Sequence, residues 1–506
     1  MKHTNEKIGE LIYQIRQDRG LTQAEFARQL GTSQSAVNRI EHGKQNLSLD
    51  TLARISDVLK RPLISVGSGA VNLRVTGKTE LSGNIVLKKS KNSAVAILCA
   101  SLLNYGVTNL RGVPKIEEVH RIIEVLESIG VKIKWNGSNL EIRRPQHLDL
   151  GSMNEAAGRK TRSIIMLLGS LLHQYNEFKI PYSGGCKLGE RTVRPHIYSL
   201  EEFGLTVKTT QNHFVASVTP KKPDYIVLYE AGNTVTNNCL IAASGIASTT
   251  VIQGASADYM VQDLCHFLVA LGAKIEGIGT TTLTITGMSR IKKNVDFSHT
   301  EDPIEAMFFI SAAISTNSNI TIERVPHRWI GLELLKLKKM GLEFTIDRTY
   351  SSDNHSTELA DITIQKHNFK LKAPAEKLHP NLWPGINPDN IPYFVPICGT
   401  AIGRTLINDW MFENRAIYYT EMTKIGMSVD LADRHRVYIQ GPTKWTNADV
   451  VCPPALRPAS LLLIGMMCAE GVSVLRNVYT INRGYEDIAL RLNSLGARIE
   501  IISGAL

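Results

Sequence analysis

The sequence contains little cysteine, and its cysteines are not spaced as in a metal site or a disulfide framework. Seven cysteines are scattered through 506 residues, without a Cys-x-x-Cys pair or a Cys/His ligand pattern. The sequence also lacks an apolar run of about 18 residues that could span a bilayer, and it lacks a secretory signal. We therefore expect a cytoplasmic protein that has no membrane partner, no disulfide framework and no zinc site.

Low-complexity segments and a strong charge bias are absent as well. Hydrophobic residues make up 43% of the chain and charged residues 21%, which is ordinary for a globular protein and excludes a long disordered tail. The net charge is +10, yet the first 63 residues contain ten Lys or Arg against seven Asp or Glu. The excess of cations therefore lies mainly in the remaining chain, where it favours a site for an anionic small molecule. A chain of this length is expected to form two or three domains.

The N-terminal residues have the pattern of a small helical domain. Helical apolar spacing begins at Ile8 and is interrupted by three glycines, which predicts four or five short helices. Residues 21–44 have the order of a helix, a glycine-containing turn and a second helix, with Thr22 and Thr32 as expected N-caps. This order resembles the Cro/C1-type repressor family and predicts a helix-turn-helix domain over 1–66, followed by a linker over 67–72.

The resemblance to repressors implies that the second helix enters the major groove of DNA. Such domains usually bind as dimers, so a homodimer through this domain is implied too. An inherited protein-interaction domain that no longer binds DNA is the alternative. The expected contacts are Gln34, Ser35 and Asn38 to base edges, and Arg39 and Lys44 to phosphates.

One short pattern recurs six times in the rest of the chain. It consists of Leu-x-x-apolar-Gly, with Met in place of Leu in the fifth copy, followed by an alternating strand, and its period of about 70 residues suits one supersecondary unit per repeat. Each glycine predicts the end of a helix, each copy follows another helix that is apolar nearly all round, and a strand lies between the two. The repeat glycines are Gly130, Gly204, Gly272, Gly341, Gly426 and Gly496.

From about Leu73 to the end, this pattern resembles the enolpyruvyl transferase family, and in particular its members that act on UDP-N-acetylglucosamine. The resemblance implies an α/β protein with a two-domain enolpyruvyl transferase fold of six repeated units, an inside-out α/β barrel, over 73–506. The chain crosses between the domains in that fold. Subdomain A is therefore expected at about 89–290 and subdomain B at about 73–88 plus 291–506, with the active site in the cleft between them.

A glycine-rich segment carries the candidate catalytic cysteine. Cys186 lies in the segment 184–191, whose glycines permit a mobile loop, and Lys187 and Arg191 could stabilise a thiolate or an anionic substrate. The resemblance implies that Cys186 is the general acid that protonates C3 of phosphoenolpyruvate and can add to it covalently. It assigns Arg191 to the phosphate. A loop cysteine without function is the alternative.

Cations for phosphoenolpyruvate are expected at both ends of the transferase region. Lys91 opens the first apolar helix, where a cation and a helix N-terminus together form an anion site, although such a lysine is by itself usually a solvated cap. The resemblance assigns Lys91 to phosphoenolpyruvate and to catalysis, and Asn92 to the acceptor. Arg483, in a segment similar to the family's Arg-Gly-Tyr-Glu motif, would clamp phosphoenolpyruvate together with Arg457. Further substrate contacts implied by the resemblance are Lys115, Arg162, Met411 and Arg415.

Two aspartates are candidates for the acidic roles. Asp389 matches the family's aspartate that faces the acceptor hydroxyl and is the expected base. Asp302 matches a substrate-binding position, but it also opens an apolar helix, and we favour an N-cap over catalysis there.

Departures from the family pattern fall on the acceptor side. Ala455 stands where the family has an aspartate two residues before the arginine equivalent to Arg457. The segments 191–195 and 230–234, which hold the nucleotide in the family, also differ. The donor chemistry is therefore better supported than the identity of the acceptor.

The activity implied by the resemblance is transfer of the enolpyruvyl group of phosphoenolpyruvate to the 3-hydroxyl of UDP-N-acetylglucosamine, with release of phosphate by addition and elimination and without a metal or organic cofactor. This reaction is the first committed step of peptidoglycan synthesis. The same chemistry on another nucleotide or nucleotide sugar is the nearest alternative. The shikimate-pathway relative is disfavoured because its family lacks the cysteine loop. An alternative of a different class is a DNA-binding regulator whose degenerate transferase domain senses a ligand.

Overall fold

The computed structural model describes residues 2–18, 20–45, 47, 51, 54–55, 58–59, 71–182, 192–368 and 370–503. The chain divides into two compact units, Met1–Asn72 with Ile501–Leu506, and Leu73–Glu500. Most of the expected linker lies outside the described residues. No helix within them is long and apolar enough to cross a membrane.

The N-terminal unit contains three described helices. They are α1 (Lys2–Asp18), α2 (Gln23–Leu30) and α3 (Gln34–Glu41). The prediction of Thr22 as an N-cap is confirmed, because its hydroxyl accepts from the backbone N–H of Glu25 while the Glu25 carboxylate accepts from the Thr22 backbone. The prediction of Thr32 is wrong by one residue. Ser33 caps α3 instead, since its hydroxyl is the one that accepts from the Ala36 backbone N–H.

A small core and one buried ion pair hold these helices together. Phe26 and Val37 are completely buried, with Ile12 and Ile40 beside them. The guanidinium of Arg16 donates to Glu41 at 2.5 Å, and the exposed fractions of the two side chains are 3% and 1%. Removal of one partner from such a pair leaves an uncompensated buried charge, at a cost of about 3–5 kcal/mol.

The larger unit alternates strands and helices, as the repeat pattern predicts. The strands of its first half are β1 (Val71–Thr76), β2 (Ser82–Val86), β3 (Val107–Arg111), β4 (Lys132–Asn136), β5 (Asn139–Arg143), β6 (Glu177–Pro181), β7 (Leu205–Thr209), β8 (His213–Val218), β9 (Tyr225–Val227), β10 (Thr249–Gln253), β11 (Lys274–Glu276), β12 (Thr282–Thr286) and β13 (Val295–Ser298). The later strands are β14 (Asn319–Val325), β15 (Phe344–Ser351), β16 (Glu358–Ile364), β17 (Gly403–Asn408), β18 (Ser428–Leu431), β19 (Arg436–Gly441), β20 (Asp449–Val451), β21 (Val472–Arg476) and β22 (Arg498–Ser503).

Short and long helices connect these strands. They are α4 (Lys91–Ala100), α5 (Glu117–Ser128), α6 (Glu155–Gly158), α7 (Leu167–Leu171), α8 (Arg194–Glu201), α9 (Asn233–Ser244), α10 (Tyr259–Leu271), α11 (Pro303–Ser315), α12 (Gly331–Lys339), α13 (Phe394–Thr400), α14 (Leu456–Cys468), α15 (Tyr479–Asn482) and α16 (Ile488–Ser494).

The six-fold repeat is confirmed by the backbone and by the sheets. All six repeat glycines have φ between +91° and +113°, a conformation that favours glycine where a helix ends. Within the described residues the strands form six sheets of three or four strands, ordered β20-β21-β1-β22, β2-β14-β16-β15, β13-β3-β5-β4, β6-β8-β7, β9-β10-β12-β11 and β17-β19-β18.

The apolar helices are buried as expected, with one irregularity. Every residue of α11 is buried. The second apolar helix is instead a 3₁₀ turn over Arg162–Met166 that continues into α7. Asn238 supports this break, because its side chain donates to the carbonyl of Ile165 and accepts from the N–H of Gly169. A side chain therefore satisfies backbone groups that a regular helix would pair internally.

Strand pairing joins distant parts of the chain. β1 pairs with β21 near the C-terminus, and β2 pairs in parallel with β14. β13 pairs in parallel with β3, so residues 295–298 lie in a sheet of the first half. The pairings of β1 and β2 therefore place these two strands with the C-terminal half of the transferase unit.

Candidate functional site

Lys91 lies at the first position of α4, where it pairs with a half-buried glutamate. The Ser90 hydroxyl caps this helix by accepting from the backbone N–H of Ser93. The Lys91 ammonium donates to Glu118 at 2.6 Å, and each side chain is 13% exposed. Burial alone would raise the pKa of Glu118, but the charges of Lys91 and Arg483 outweigh it and lower this pKa to about 2. Glu118 is therefore ionised, holds Lys91 by direct contact, and lies within the electrostatic reach of Arg483 from the other end of the sequence.

Glu118 is a site residue that the sequence did not reveal. Its carboxylate also accepts from the Ser163 hydroxyl at 3.0 Å, which ties α5 to the turn that contains Arg162. An acidic residue in the first turn of a helix is normally explained by the helix dipole. No other signal in the sequence distinguishes Glu118.

The Arg-Gly-Tyr-Glu segment meets the first half of the transferase unit. Arg483 follows α15 directly, and its charge acts on Glu118. Glu486 accepts from the Lys88 ammonium at 3.1 Å and from the backbone N–H of Lys115 at 2.8 Å. The structure therefore brings the predicted cation Lys91 to Glu118 and the ammonium of Lys88 to Glu486, while Lys115 contacts Glu486 through its backbone and its ammonium lies over the ring of Trp135.

Arg457 connects this cation cluster to the candidate base. Its guanidinium donates to the Tyr485 hydroxyl at 2.9 Å and to Asp389 at 3.4 Å, and the side chain is 6% exposed. Burial would lower the pKa of Arg457, but Tyr485, Tyr393 and the nearby aspartates keep this pKa well above its ordinary value. Arg457 is a permanent cation beside Asp389.

Asp389 lies between two guanidinium groups and remains accessible. Its second carboxylate oxygen contacts Arg415 at 3.4 Å, and 30% of the side chain is exposed. The backbone N–H of Asp389 donates to the Asn387 side chain at 2.9 Å. An oriented and reachable carboxylate meets the geometric requirements for a base that accepts a hydroxyl proton.

Arg415, expected as a substrate contact, lies in the interior of the protein. Its side chain is fully buried, and its donors reach Asp409 at 2.6 Å twice and the Pro388 carbonyl at 2.6 Å. Asp409 is fully buried as well and needs this countercharge. Burial opposes the charge of Arg415, yet Asp409 raises the pKa of the guanidinium above its ordinary value. Arg415 therefore stabilises the loop that carries Asp389. Met411, another expected substrate contact, is half-buried.

The helices α11 and α14 differ at their N-termini, because one has a side-chain cap and the other lacks one. Asp302 caps α11 by accepting from the N–H groups of Ile304 and Glu305, at 2.8 and 3.3 Å, as we favoured. Burial raises the pKa of Asp302 to about 6, against the opposing charge of Arg457. Ala455 occupies the N-cap position of α14, is buried, and provides no side-chain cap. The departure at Ala455 therefore leaves the helix that carries Arg457 without a capping oxygen.

Tyr259 is the second site residue that the sequence did not reveal. It begins α10, and its hydroxyl contacts the Ser90 hydroxyl at 3.3 Å. Burial raises the pKa of Tyr259 well above its ordinary value, and hydrogen bonds from Ser90 and Asn92 oppose the rise. Asn92, the expected acceptor contact, therefore touches a neutral phenol. The sequence showed Tyr259 as one more apolar residue in a buried helix.

Arg162 contacts Thr192, the first described residue after the cysteine segment. The Arg162 guanidinium donates to the Thr192 carbonyl at 2.9 Å. Burial and the nearby Arg162 charge lower the pKa of His196 to about 3. Cys186, Lys187 and Arg191 lie outside the described residues.

The expected DNA contacts share one exposed surface in the N-terminal unit. Gln34, Ser35, Asn38 and Arg39 are exposed on α3, and Lys44 is exposed just beyond it. The remaining face of α3 carries buried Ala36, Val37 and Ile40. The helix therefore presents polar and basic side chains to solvent along its whole outer face.

Two family profiles match the chain. The profile described as EPSP synthase (3-phosphoshikimate 1-carboxyvinyltransferase) matches residues 75–492. A helix-turn-helix profile matches residues 12–65.

Known proteins resemble the larger unit over almost their whole length. UDP-N-acetylglucosamine 1-carboxyvinyltransferases from Treponema denticola and Bradyrhizobium diazoefficiens are 31% and 32% identical to the chain, over 84% of it and 98% and 97% of their own lengths. The solved enolpyruvyl transferase NikO from Streptomyces tendae superposes with a TM-score of 0.73 at 20% identity, over 86% of this chain and all of NikO. An EPSP synthase from Acinetobacter baumannii superposes with a TM-score of 0.65 at 17% identity, over 85% of this chain and 100% of its own. These structures share the fold.

Proposed function

Because the chain belongs to the enolpyruvyl transferase family and carries an N-terminal helix-turn-helix domain, we propose that it transfers the enolpyruvyl group of phosphoenolpyruvate to the 3-hydroxyl of UDP-N-acetylglucosamine. Phosphate is the second product. The relatives that carry this activity in their names cover 84% of the chain. The observation that carries the proposal is the pair of contacts between Lys91 and Glu118 and between Arg457 and Asp389, with the charge of Arg483 acting on Glu118.

The cation cluster binds phosphoenolpyruvate in this proposal. Phosphate and carboxylate together bring about three negative charges, and Lys91, Arg457 and Arg483 supply cations with donors in fixed positions. Lys115 and Arg162 extend the cationic surface. Preorganised cations stabilise the charge that develops on the departing phosphate better than water does, because they do not have to reorient.

The reaction proceeds by addition and elimination. Asp389 removes the proton of the acceptor hydroxyl, whose oxygen forms a bond with C2 of phosphoenolpyruvate, while Cys186 delivers a proton to C3. Loss of a proton from C3 then restores the double bond as the C2–O bond to phosphate breaks. The products are the enolpyruvyl ether and inorganic phosphate, and no electrons are exchanged with another reactant.

The N-terminal domain binds DNA in this proposal. The exposed face of α3 enters the major groove, with Gln34, Ser35 and Asn38 at base edges and Arg39 and Lys44 at phosphates. A pair of such domains reads two half-sites, so the proposal includes a homodimer through this domain.

One observation favours a second candidate function. The N-cap of α14 lacks a side-chain oxygen at Ala455, two residues before Arg457, where the family resemblance places a carboxylate. A chain that binds phosphoenolpyruvate and a nucleotide sugar without turnover acts as a ligand sensor for the DNA-binding domain. The same departure is compatible with another nucleotide acceptor.

Phosphate release from phosphoenolpyruvate tests the proposed transfer. The full-length protein is assayed with UDP-N-acetylglucosamine and with UMP, beside Arg483→Lys and the matched surface variant Arg498→Lys. We expect phosphate with the nucleotide sugar, a large loss of kcat/KM in Arg483→Lys because a bidentate donor is replaced by a point charge, and no change in Arg498→Lys. Release with UMP alone moves the proposal to another acceptor. Silence with both acceptors, together with ligand-dependent DNA binding, identifies the sensor.

A further inference from the structure

Glu333 is a buried carboxyl that the proposed reaction does not use. It is the third residue of α12, and only 1% of it is exposed. Glutamate is almost never fully buried unless its oxygens have partners, because the loss of hydration is costly. Leu334 and Leu337 of the same helix are buried in the core, so the helix holds the Glu333 carboxyl in a fixed place. The partners of this carboxyl therefore indicate its role.

Both hydrogen-bond partners of Glu333 belong to the loop of the candidate base. Its Oε1 accepts from the backbone N–H of Asn387 at 3.1 Å and from the side-chain amide of Asn390 at 2.8 Å. These two residues lie two positions before Asp389 and one position after it. One oxygen on a helix therefore holds the loop on both sides of Asp389.

Asn387 transmits this restraint to Asp389. Its side-chain oxygen accepts from the Asp389 backbone N–H at 2.9 Å, and its carbonyl accepts from the Asn390 backbone N–H at 2.8 Å. Its side-chain amide also contacts the Asp258 carboxylate at 3.5 Å. The backbone of Asp389 therefore depends on Asn387, whose own backbone depends on Glu333.

Arg415 restrains the same loop in a different way. Its guanidinium donates to the Pro388 carbonyl at 2.6 Å and to the Asp389 carboxylate at 3.4 Å, so it acts on the position and on the charge of the base. The hydrogen bonds of Glu333 reach the flanking residues instead. Substitution of Glu333 should therefore move the base without removing a cation that contacts it.

The protonation state of Glu333 does not decide whether it can hold the loop. Burial raises the pKa of Glu333 to about 7, against hydrogen bonds from the Asn390 side chain and the Asn387 backbone. An ionised carboxylate accepts at both oxygens, and a neutral carboxyl keeps an acceptor oxygen. A glutamine has a carbonyl acceptor as well, so it can replace Glu333 in this role.

We propose that Glu333 is a positioning residue that holds the loop of Asp389 where the base reaches the acceptor hydroxyl. The assignment rests on the proposed function for its link to catalysis, whereas the restraint of the loop can be measured without turnover. A base must lie within about 2.6–3.2 Å of the group whose proton it removes. A displacement of about 1 Å can lower a rate about 100-fold, so a residue that does not touch the substrate can still determine kcat.

Kinetics of the full-length protein in the phosphate-release assay test this role. Glu333→Leu removes the acceptor, Glu333→Gln keeps it, and Leu337→Ala is the control that loosens the core beneath the same helix. We expect Glu333→Leu to lower kcat about tenfold, at an unchanged KM for phosphoenolpyruvate because Lys91 and Arg483 keep their places. Glu333→Gln should retain most of the wild-type kcat. Leu337→Ala should lower Tm and leave kcat unchanged at temperatures well below its Tm.

Three kinetic results would overturn the assignment. One is a wild-type kcat in Glu333→Leu, and another is a loss in Glu333→Gln as large as in Glu333→Leu. The third is an equal loss of kcat in Leu337→Ala at a similar fall in Tm, since general loosening of the helix would then explain the effect. If Glu333→Leu does not fold, Asn390→Ala removes one of the two donors and is judged by the same kcat and KM.

Hydrogen exchange separates this assignment from the proposed function. Exchange of the segment 386–392, followed by mass spectrometry, should be faster in Glu333→Leu than in the wild type and in Glu333→Gln, because the Asn387 N–H has lost its acceptor. Turnover that Glu333→Leu leaves unchanged refutes the positioning role and leaves the function intact. Absence of turnover in the wild type refutes the function. In that case faster exchange in Glu333→Leu still supports the restraint, and unchanged exchange overturns it.

Discussion

Neutralising Glu118 should destabilise the transferase unit and make it more dependent on a bound anion. The pKa of this carboxyl is lowered from 4.5 to about 2 in the folded protein. A shift of that size corresponds to about 3 kcal/mol in favour of the folded, ionised state. Because the folded pKa is depressed, this contribution is complete above pH 4.5 and is lost as the pH falls towards 2. Glu118→Gln removes it at neutral pH.

The expected change in Tm follows from the size of the unit. Unfolding about 430 residues at about 2.1 cal/mol/K each gives an entropy near 0.9 kcal/mol/K. A loss of about 3 kcal/mol therefore lowers Tm by about 3 °C. Inorganic phosphate should recover most of this loss in the variant, because it replaces the missing negative charge beside Lys91 and Arg483. Thermal unfolding with and without phosphate at pH 7 measures both effects.

Glu124→Gln on the same helix is the matched control. Glu124 pairs with Arg121 at 2.8 Å and is 39% exposed, so its loss should cost about 0.5 kcal/mol or less. The reasoning is refuted if Glu118→Gln and Glu124→Gln unfold at the same temperature. It is also refuted if phosphate stabilises Glu118→Gln no more than the wild type.

Three further predictions concern the base, a helix start and DNA. Asp389→Asn should lower kcat about 100-fold or more in the phosphate-release assay, because the amide cannot accept the hydroxyl proton; wild-type kcat would contradict it. Ala455→Ser should raise the free energy of unfolding by about 1 kcal/mol by capping α14, and an unchanged denaturation midpoint would count against this. Arg39→Ala should weaken DNA binding equally for all sequences and reduce the salt slope by about one; altered base preference in fluorescence anisotropy would show that Arg39 reads bases instead.

The repeated architecture could be predicted because its signals are local. The left-handed conformation at a helix end favours glycine. Gly272 and Gly426 could therefore be predicted as helix ends from the sequence alone, and in the structure both have positive φ at the end of a helix. The N-cap at Thr22 was readable for the same reason. The sequence could not decide whether Thr32 or Ser33 caps α3, because two adjacent hydroxyl residues are both good caps and the exact start of the helix decides between them.

The supporting residues of the site could not be predicted because their partners are distant. The charge of Arg483 acts on Glu118 from more than 360 positions away in the sequence. Arg415 supports the loop of the candidate base from inside the protein because Asp409 is buried beside it. Tyr259 gains its position from the packing of α10 against α4. Charge and aromaticity are visible in a sequence, whereas the burial that decides their roles is a tertiary property.

Identification of the reaction product tests the central proposal most directly. Full-length protein is incubated with phosphoenolpyruvate and UDP-N-acetylglucosamine, beside Cys186→Ala, and followed by mass spectrometry and phosphate release. We predict a nucleotide sugar that gains one enolpyruvyl group for each phosphate released, and no product with Cys186→Ala. The account would be contradicted if the nucleotide sugar stays unmodified after prolonged incubation at saturating substrate concentrations. It would also be contradicted if Cys186→Ala forms as much product as the wild type.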